Sequence, residues 1–164
     1  MDARSEAALA TVDPALAAKV RAAAAKLEAV GTFILVVSGL RSAAEQDALY
    51  AQGGTKPGHI VTKAKAGQST HNYGLAVDVV PYLSGQTGAL NWHGDTEQFK
   101  AMVTALKAEG LTWGGDWLHF KDEDHFQLST APATPSGLMI SDYGAGDHSA
   151  LAVIWTNFGD GKYA

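Results

Sequence analysis

The stretch STHNYGLAVDVV, residues 69–80, places a carboxylate inside an apolar strand. Its second half, LAVDVV, has the β-branched and apolar composition of a buried β-strand, and the segment before it predicts a loop. Asp78 lies inside this predicted strand, where an unpaired carboxylate is costly to bury. His71 precedes it by seven residues, and histidine and aspartate are both zinc ligands. A metal site is one hypothesis; a loop histidine and a turn or capping aspartate are the alternatives.

A third ligand for such a metal must come from elsewhere in the chain. The sequence contains no cysteine, so only histidine and carboxylate side chains are available. His125 is the best candidate because acids flank it in KDEDHF, and these could orient the imidazole or act as a general base. The competing histidines are His59, His93, His119 and His148. Of these, His119 stays open as the alternative third ligand.

Size and charge exclude several classes of protein. A chain of 164 residues with 46% hydrophobic residues can form one packed domain with a sizeable core. Its formal net charge of -5 argues against binding to nucleic acid and gives no attraction to anionic membranes. No segment is long and apolar enough to span a bilayer, and the first residues lack the pattern of a secretory signal. We therefore expect a protein made without a signal peptide and without membrane insertion.

Start and stop signals outside the opening stretch predict three helices and several short strands. The helices are predicted from Asp13 to Gly31, from the Ser42 and Glu45 capping box to Gly53, and from an Asp95 cap to Glu109. The strands are predicted at residues 33–37, 75–80, 111–113, 117–120 and 125–128. Residues 53–68 predict a loop with a short extended piece at 60–62. This order indicates an α+β domain with helices packed on one side of an antiparallel sheet.

Several separated motifs together resemble those of the zinc peptidases that include D-Ala-D-Ala carboxypeptidases and L-alanoyl-D-glutamate endopeptidases. The motifs are SxHxxGxAxD at residues 69–78, WGGDW at 113–117, an acid three residues before HF at 122–126, and SGLRS at 38–42 followed by Gln46. Their joint occurrence in order is more specific than any one of them. The resemblance covers residues 12–128, is closest to the phage-type endopeptidases, and implies the fold shared by these peptidases and the hedgehog signalling domain.

The resemblance also implies a role for each matching residue. His71, Asp78 and His125 would bind Zn²⁺, which polarises the scissile carbonyl and acidifies water. Asp122 would act as the general base and then as the acid. Arg41 would stabilise the oxyanion, with a surface arginine near a helix cap as the alternative.

The general base has a second candidate from strand geometry alone. On a regular strand Glu123 would share a face with His125, because side chains repeat every two residues. The resemblance nominates Asp122 instead, which requires a turn or bulge between Asp122 and His125.

Four further residues are candidate substrate contacts, and each has a structural alternative. Ser69 could bind substrate or shape the turn before His71, and Tyr73 could bind substrate or lie half-buried at a strand edge. Trp113 and Trp117 could line a peptide groove or fill the core, where aromatic side chains are more often found.

The predicted organisation is a catalytic domain at residues 1–128, a linker-like segment at 129–136 and an appendage at 137–164. The linker composition is that of STAPATPSG. The apolar run at residues 150–155 is too short for an independent domain, so we expect the appendage to pack on the catalytic domain as a strand or short helix.

The expected function is hydrolysis of the L-Ala-D-Glu bond in bacterial peptidoglycan by a monomeric, endolysin-like enzyme. It would act on the cell wall after release from the bacterial cytoplasm by a holin-type or other agent. The alternatives are a D-alanyl-D-alanine carboxypeptidase and a non-catalytic zinc-containing binding module. The acidic substrate requires local cations in a protein of net charge -5, and the candidates are Arg41, Lys56, Lys63 and Lys65.

Overall fold

The computed structural model describes residues 1–132, 134–143 and 148–163. Six α-helices lie in this part of the chain: α1 (Ala3–Leu9), α2 (Pro14–Glu28), α3 (Ala43–Ala51), α4 (Glu97–Ala108), α5 (Gly137–Tyr143) and α6 (Leu151–Gly159). Four strands are present: β1 (Ile34–Ser38), β2 (Ala76–Pro81), β3 (Leu111–Trp113) and β4 (His125–Leu128). Short 3-10 helices occur at Thr70–Tyr73, Gly114–Asp116 and His148–Ala150. None of the helices described is both long and apolar enough to cross a lipid bilayer.

The four strands form one antiparallel sheet in the order β1-β2-β4-β3. The last strand in the chain, β4, therefore lies between β2 and β3 and pairs with both. The β2 and β4 register sets Asp78 opposite His125. The predicted α+β class with an antiparallel sheet is confirmed.

The chain forms two compact units. The first contains residues 1–39 and 76–129, which include the sheet with α1, α2 and α4. Helices α2 and α4 each bury an apolar face in the core of this unit. The buried side chains include Leu16 and Val20 of α2 and Phe99 and Met102 of α4, all at most 1% exposed.

The second unit contains residues 40–75 and 130–164, which include α3, α5 and α6. Ala133, residues 144–147 and Ala164 of the predicted linker and appendage lie outside the described residues. In the described part Met139, Tyr143, Leu151 and Ile154 are buried. The division into domain, linker and appendage stays a prediction.

Two predicted helices begin where the sequence indicated. Asp13 caps α2 by accepting the backbone N–H of Ala15 at 2.7 Å, with Pro14 at the first helical position. Ser42 and Glu45 form the predicted capping box of α3.

Three details of the element prediction were wrong. Helix α1, capped by Asp2, was not predicted. Thr96, not Asp95, caps α4, because its hydroxyl accepts the backbone N–H of Phe99. Residues 117–120 form no strand; this segment follows the Gly114–Asp116 helix, where consecutive glycines favour a turn. Residues 60–62 belong to the predicted loop and to no strand.

Candidate metal centre

Asp78 and His125 face each other across the middle of the sheet. They are partners in the register of β2 and β4, and His125 Nδ1 lies 3.7 Å from Asp78 Oδ1. Both side chains have little contact with solvent, at 14% exposure for Asp78 and 5% for His125. The carboxylate in the apolar strand therefore lies beside an imidazole nitrogen.

Gln127 fixes the other nitrogen of His125. His125 Nε2 lies 3.0 Å from Gln127 Oε1, and both residues are buried. An amide oxygen can only accept, so His125 donates through Nε2 and leaves Nδ1, on the Asp78 side, available as a ligand atom. Burial lowers the pKa of His125, but the hydrogen bond and charge of Asp78 outweigh this effect and the net pKa is raised.

His71 lies in the 3-10 helix Thr70–Tyr73, all of whose residues are buried. Ser69 caps this helix by accepting the backbone N–H of His71 at 3.3 Å. Gly74 ends it with φ 63°, a left-handed conformation that favours glycine. Only Gly74 and Leu75 separate this helix from β2, so His71 and Asp78 lie on consecutive elements of the chain.

One ligand atom from each of His71, Asp78 and His125 lies within 4.8 Å of the other two. The donor set of two imidazoles and one carboxylate is the type that binds zinc with a fourth position free. The remaining histidines, His59, His93, His119 and His148, are all exposed. The three predicted ligands are therefore brought together, whereas the alternative ligand His119 is not among them.

The segment between β3 and β4 turns sharply before His125. His125 N–H donates to the Asp122 carbonyl at 3.3 Å, and Asp122 N–H donates to the Gly114 carbonyl at 3.2 Å. A side chain at Gly114 would collide with the Asp122 carbonyl and crowd the Cβ of His125. The turn that the Asp122 assignment required is present, and it depends on Gly114.

The two candidate bases differ in their surroundings. The Asp122 side chain is hydrogen-bonded to Asp124, and Asp124 also interacts electrostatically with Asp78. The Glu123 carboxylate instead packs against Gly94 in the loop before α4. Asp122 therefore belongs to the acidic group around Asp78, and the Glu123 carboxylate lies beside a different segment.

Asp124 adds a third carboxyl group to this cluster. Burial, the negative charge of Asp78 and a hydrogen bond that the protonated Asp124 carboxyl donates to Asp122 raise the pKa of Asp124 to about 8. Its backbone carbonyl accepts the N–H of Val79 at 2.8 Å, which ties the turn to β2. The cluster repels further negative charge, and a divalent cation is the kind of group that would relieve this repulsion.

Arg41 is connected to the His71 helix through the backbone. Its N–H donates to the His71 carbonyl at 3.0 Å, and its own carbonyl accepts from Asn72 Nδ2 at 2.9 Å. The guanidinium Nη1 of Arg41 donates to Gln46 Oε1 at 3.1 Å, and Gln46 Nε2 donates to the Ala64 carbonyl at 2.7 Å. Gln46 is completely buried, so it gives the guanidinium a fixed anchor.

The four candidate substrate contacts have different placements. The Trp117 ring lies 5.0 Å from the His125 ring and is partly exposed, so it borders the ligand set. Trp113 covers Gly115 and donates its indole N–H to the Glu123 carbonyl at 2.6 Å, which anchors the turn. Ser69 acts as the helix cap. Tyr73 is 0% exposed and donates to the Gly67 carbonyl at 2.7 Å, so we do not retain it as a substrate contact.

Sequence reasoning missed Gln127 and Asn72, and it gave Asp124 no role apart from the other acids of KDEDHF. The two-residue period of a strand puts Gln127 on the same face as His125, so its contact with the imidazole could have been predicted. Asn72 accepts the Gly67 N–H at 3.0 Å through its side chain and links that loop to Arg41. No local pattern indicates such a bridge.

Comparison with known proteins agrees with this geometry. A family model described as D-alanyl-D-alanine carboxypeptidase matches residues 62–128, a range that contains all three candidate ligands. The chain is 40% identical over 105 residues to peptidoglycan L-alanyl-D-glutamate endopeptidase CwlK of Bacillus subtilis (strain 168). That match covers 60% of this chain and 62% of the relative, so the chain spans about three fifths of the relative's length.

A solved structure is also similar. The crystal structure of the Serratia marcescens L-Ala D-Glu endopeptidase ChiX matches with a TM-score of 0.54 and 28% sequence identity, covering 78% of this chain and 88% of that one. The resemblance predicted from the sequence motifs is confirmed by these matches.

Proposed function

We propose that the chain is a zinc metallopeptidase that hydrolyses the L-Ala-D-Glu bond of peptidoglycan stem peptides. The observation that carries the proposal is the grouping of His71, Asp78 and His125. The similarity to two proteins named as endopeptidases for this bond supports it.

The three grouped residues would hold the ion. Zinc bound by two imidazoles and one carboxylate supplies Lewis acidity for a peptide carbonyl and lowers the pKa of water. Gln127 supports this role because it holds His125 Nε2 and so orients Nδ1.

Asp122 is the proposed general base and acid. Asp122 lies in the turn before His125, and its backbone carbonyl accepts the N–H of that ligand residue. A carboxylate beside a metal centre can take a proton from water and deliver it to the departing amine. The contact of Glu123 with Gly94 supports Asp122 over Glu123.

Arg41 is the proposed oxyanion-stabilising group. A cation that is already fixed before the reaction stabilises developing negative charge without reorganisation. The buried amide of Gln46 supplies that fixation.

The acidic stem peptide needs cations, and the loop at residues 53–68 provides them. This segment contains Lys56, Lys63 and Lys65 and no acidic residue. A pocket of about 300 Å³ opens beside the loop, with Tyr50, Ile60 and Lys63 in its lining. We propose that this pocket receives a part of the substrate that carries a carboxylate, because an apolar wall with a lysine suits a short acidic peptide.

A second candidate function is a D-alanyl-D-alanine carboxypeptidase, which the description of the matching family model favours. The same ligands and base would serve both reactions. Release of the enzyme by a holin-type agent, phage origin and a monomeric state remain predictions from the sequence.

Digestion of purified peptidoglycan, followed by mass spectrometry of the soluble products, tests the proposal. We expect fragments with a new amino-terminal D-Glu, and we expect a chelator to abolish their release. Free D-Ala as the only product would instead favour the carboxypeptidase.

The matched variants are His125→Ala and His119→Ala. The first should bind no stoichiometric zinc and release no fragments, and the second should behave like the unsubstituted protein. Retention of zinc by His125→Ala together with loss from His119→Ala would contradict the proposed ligand set.

A further inference from the structure

The C-terminal helices contact the segment that carries His71. Trp155 in α6 donates its indole N–H to the Tyr73 carbonyl at 2.7 Å. The Tyr143 ring in α5 lies 4.9 Å from the Tyr73 ring. Tyr73 belongs to the same single-turn 3-10 helix as His71, so both contacts bear on the element that positions this ligand.

Two segments of its unit contact the 3-10 helix. The backbone of Arg41 donates to the His71 carbonyl and accepts from the side chain of Asn72. Trp155 and Tyr143 contact Tyr73. A helix of four residues has too few internal hydrogen bonds to be stable alone, so external contacts must fix its orientation.

Hydrogen bonds and a buried apolar side chain fix the two C-terminal helices, α5 and α6, against each other. Asp142 in α5 accepts hydrogen bonds from Asn157 in α6 at 3.4 Å and from Tyr163 at 2.7 Å, and it pairs with Lys162 at 3.2 Å. Ile154, next to Trp155, is 0% exposed. The indole is therefore presented by a packed helix pair rather than by a loose tail.

We propose that Trp155 and Tyr143 are positioning residues for the metal ligand His71. The proposal rests on the proposed metal site, and it assigns a role to a segment beyond residue 128, where the family match ends. Loss of either contact would let the 3-10 helix shift, and a misplaced imidazole binds metal more weakly because coordination needs a fixed ligand geometry.

The test is zinc affinity, measured by competition with a chromophoric chelator for the full chain and for Trp155→Phe. Phenylalanine keeps an aromatic ring but removes the N–H that Tyr73 accepts. We expect zinc binding to weaken by about 10-fold or more, the scale found for residues that orient a metal ligand.

Two control variants separate positioning from general destabilisation. Ile154→Val removes one methylene group from the buried side of α6 and leaves the Trp155 N–H in place, and Val153→Ala changes a side chain that is 60% exposed. Both should keep the zinc affinity of the unsubstituted chain, even if Ile154→Val melts at a lower temperature.

The outcomes are distinct. Unchanged zinc affinity in Trp155→Phe, or an equal loss in Ile154→Val, would overturn the positioning role while leaving the proposed function intact. Failure of the unsubstituted chain to bind zinc would overturn the proposed function and this inference with it.

Discussion

At the scale of single residues, acids that are neighbours in the sequence have different surroundings, because their side chains point in different directions. Asp122, Glu123 and Asp124 are consecutive acids, but only Asp122 and Asp124 join the cluster around Asp78. Glu123 packs against Gly94. A turn, rather than the strand period, sets these directions, so the two-residue repeat that would place Glu123 on the same face as His125 does not apply here.

We predict that Asp122→Asn removes the general base. This variant should fold and retain zinc but lose turnover by about two or more orders of magnitude, because an amide cannot accept the proton. The rate of peptidoglycan fragment release and the zinc content measure the two effects.

Glu123→Gln is the matched control, since it removes the same charge one residue away. It should keep most of its activity. Full activity in Asp122→Asn combined with loss in Glu123→Gln would reverse the assignment of the general base.

At the scale of elements, the start of α3 follows directly from local sequence. The capping box of α3 begins the helix immediately after Arg41: Ser42 N–H donates to the Glu45 carboxylate at 2.8 Å, and Glu45 N–H donates to the Ser42 hydroxyl at 3.2 Å. These bonds satisfy N–H groups that the first turn leaves without helical acceptors. The same helix carries Gln46, so its start also sets the anchor of Arg41.

The element-scale prediction is a pH-dependent effect of Glu45→Gln. The hydrogen bonds from the Ser42 side chain and backbone lower the pKa of Glu45 below its ordinary value of 4.5, with a smaller contribution from Arg41 and His148. A lowered folded-state pKa means that the carboxylate stabilises the fold above about pH 4.5 and that this stabilisation is lost as the pH falls through the folded-state value.

Chemical denaturation at pH 7 should show Glu45→Gln less stable by about 0.5 kcal/mol, the low end for caps because the side chain is exposed. The two proteins should converge in acid, below the folded-state pKa. An equal difference at both pH values would show that the charge of Glu45 plays no part.

At the scale of the whole molecule, residues 137–164 belong to the stretch after residue 128 that the resemblance did not explain. In their described part they contribute buried side chains: Met139, Tyr143, Leu151, Ile154 and Tyr163 are all at most 6% exposed. Burial on this scale is typical of a segment that folds together with the residues around it rather than of a tail.

Deletion of residues 137–164 tests this at the level of stability. Burial of a large apolar side chain contributes about 1.5–3 kcal/mol, so losing several removes an amount comparable to the whole net stability of a domain, about 5–15 kcal/mol. We expect the truncated chain to melt much earlier or not to fold cooperatively, as measured by calorimetry.

The control for the deletion is Val153→Ser, at a position 60% exposed. It should change stability by less than about 0.5 kcal/mol. A truncated chain with an unchanged melting temperature would instead mean that residues 137–164 form a free tail.

Local sequence predicts the features that depend on neighbours along the chain. The caps of α2 and α3 and the position of Asp78 inside β2 were predicted because hydrogen bonds within one helical turn and the strand period are local. The His71 and Asp78 pair was visible for the same reason, since both lie in one short stretch.

Strand pairing and packing set which distant residues lie together at the candidate site. His125 rather than His119 faces Asp78 because β4 pairs with β2 in a particular register, and a sequence does not state its register. The turn at Asp122 depends on the space left by Gly114. The contact of Trp155 with Tyr73 joins residues 82 positions apart. Such contacts form through packing and long-range pairing, and no local pattern of residues specifies them.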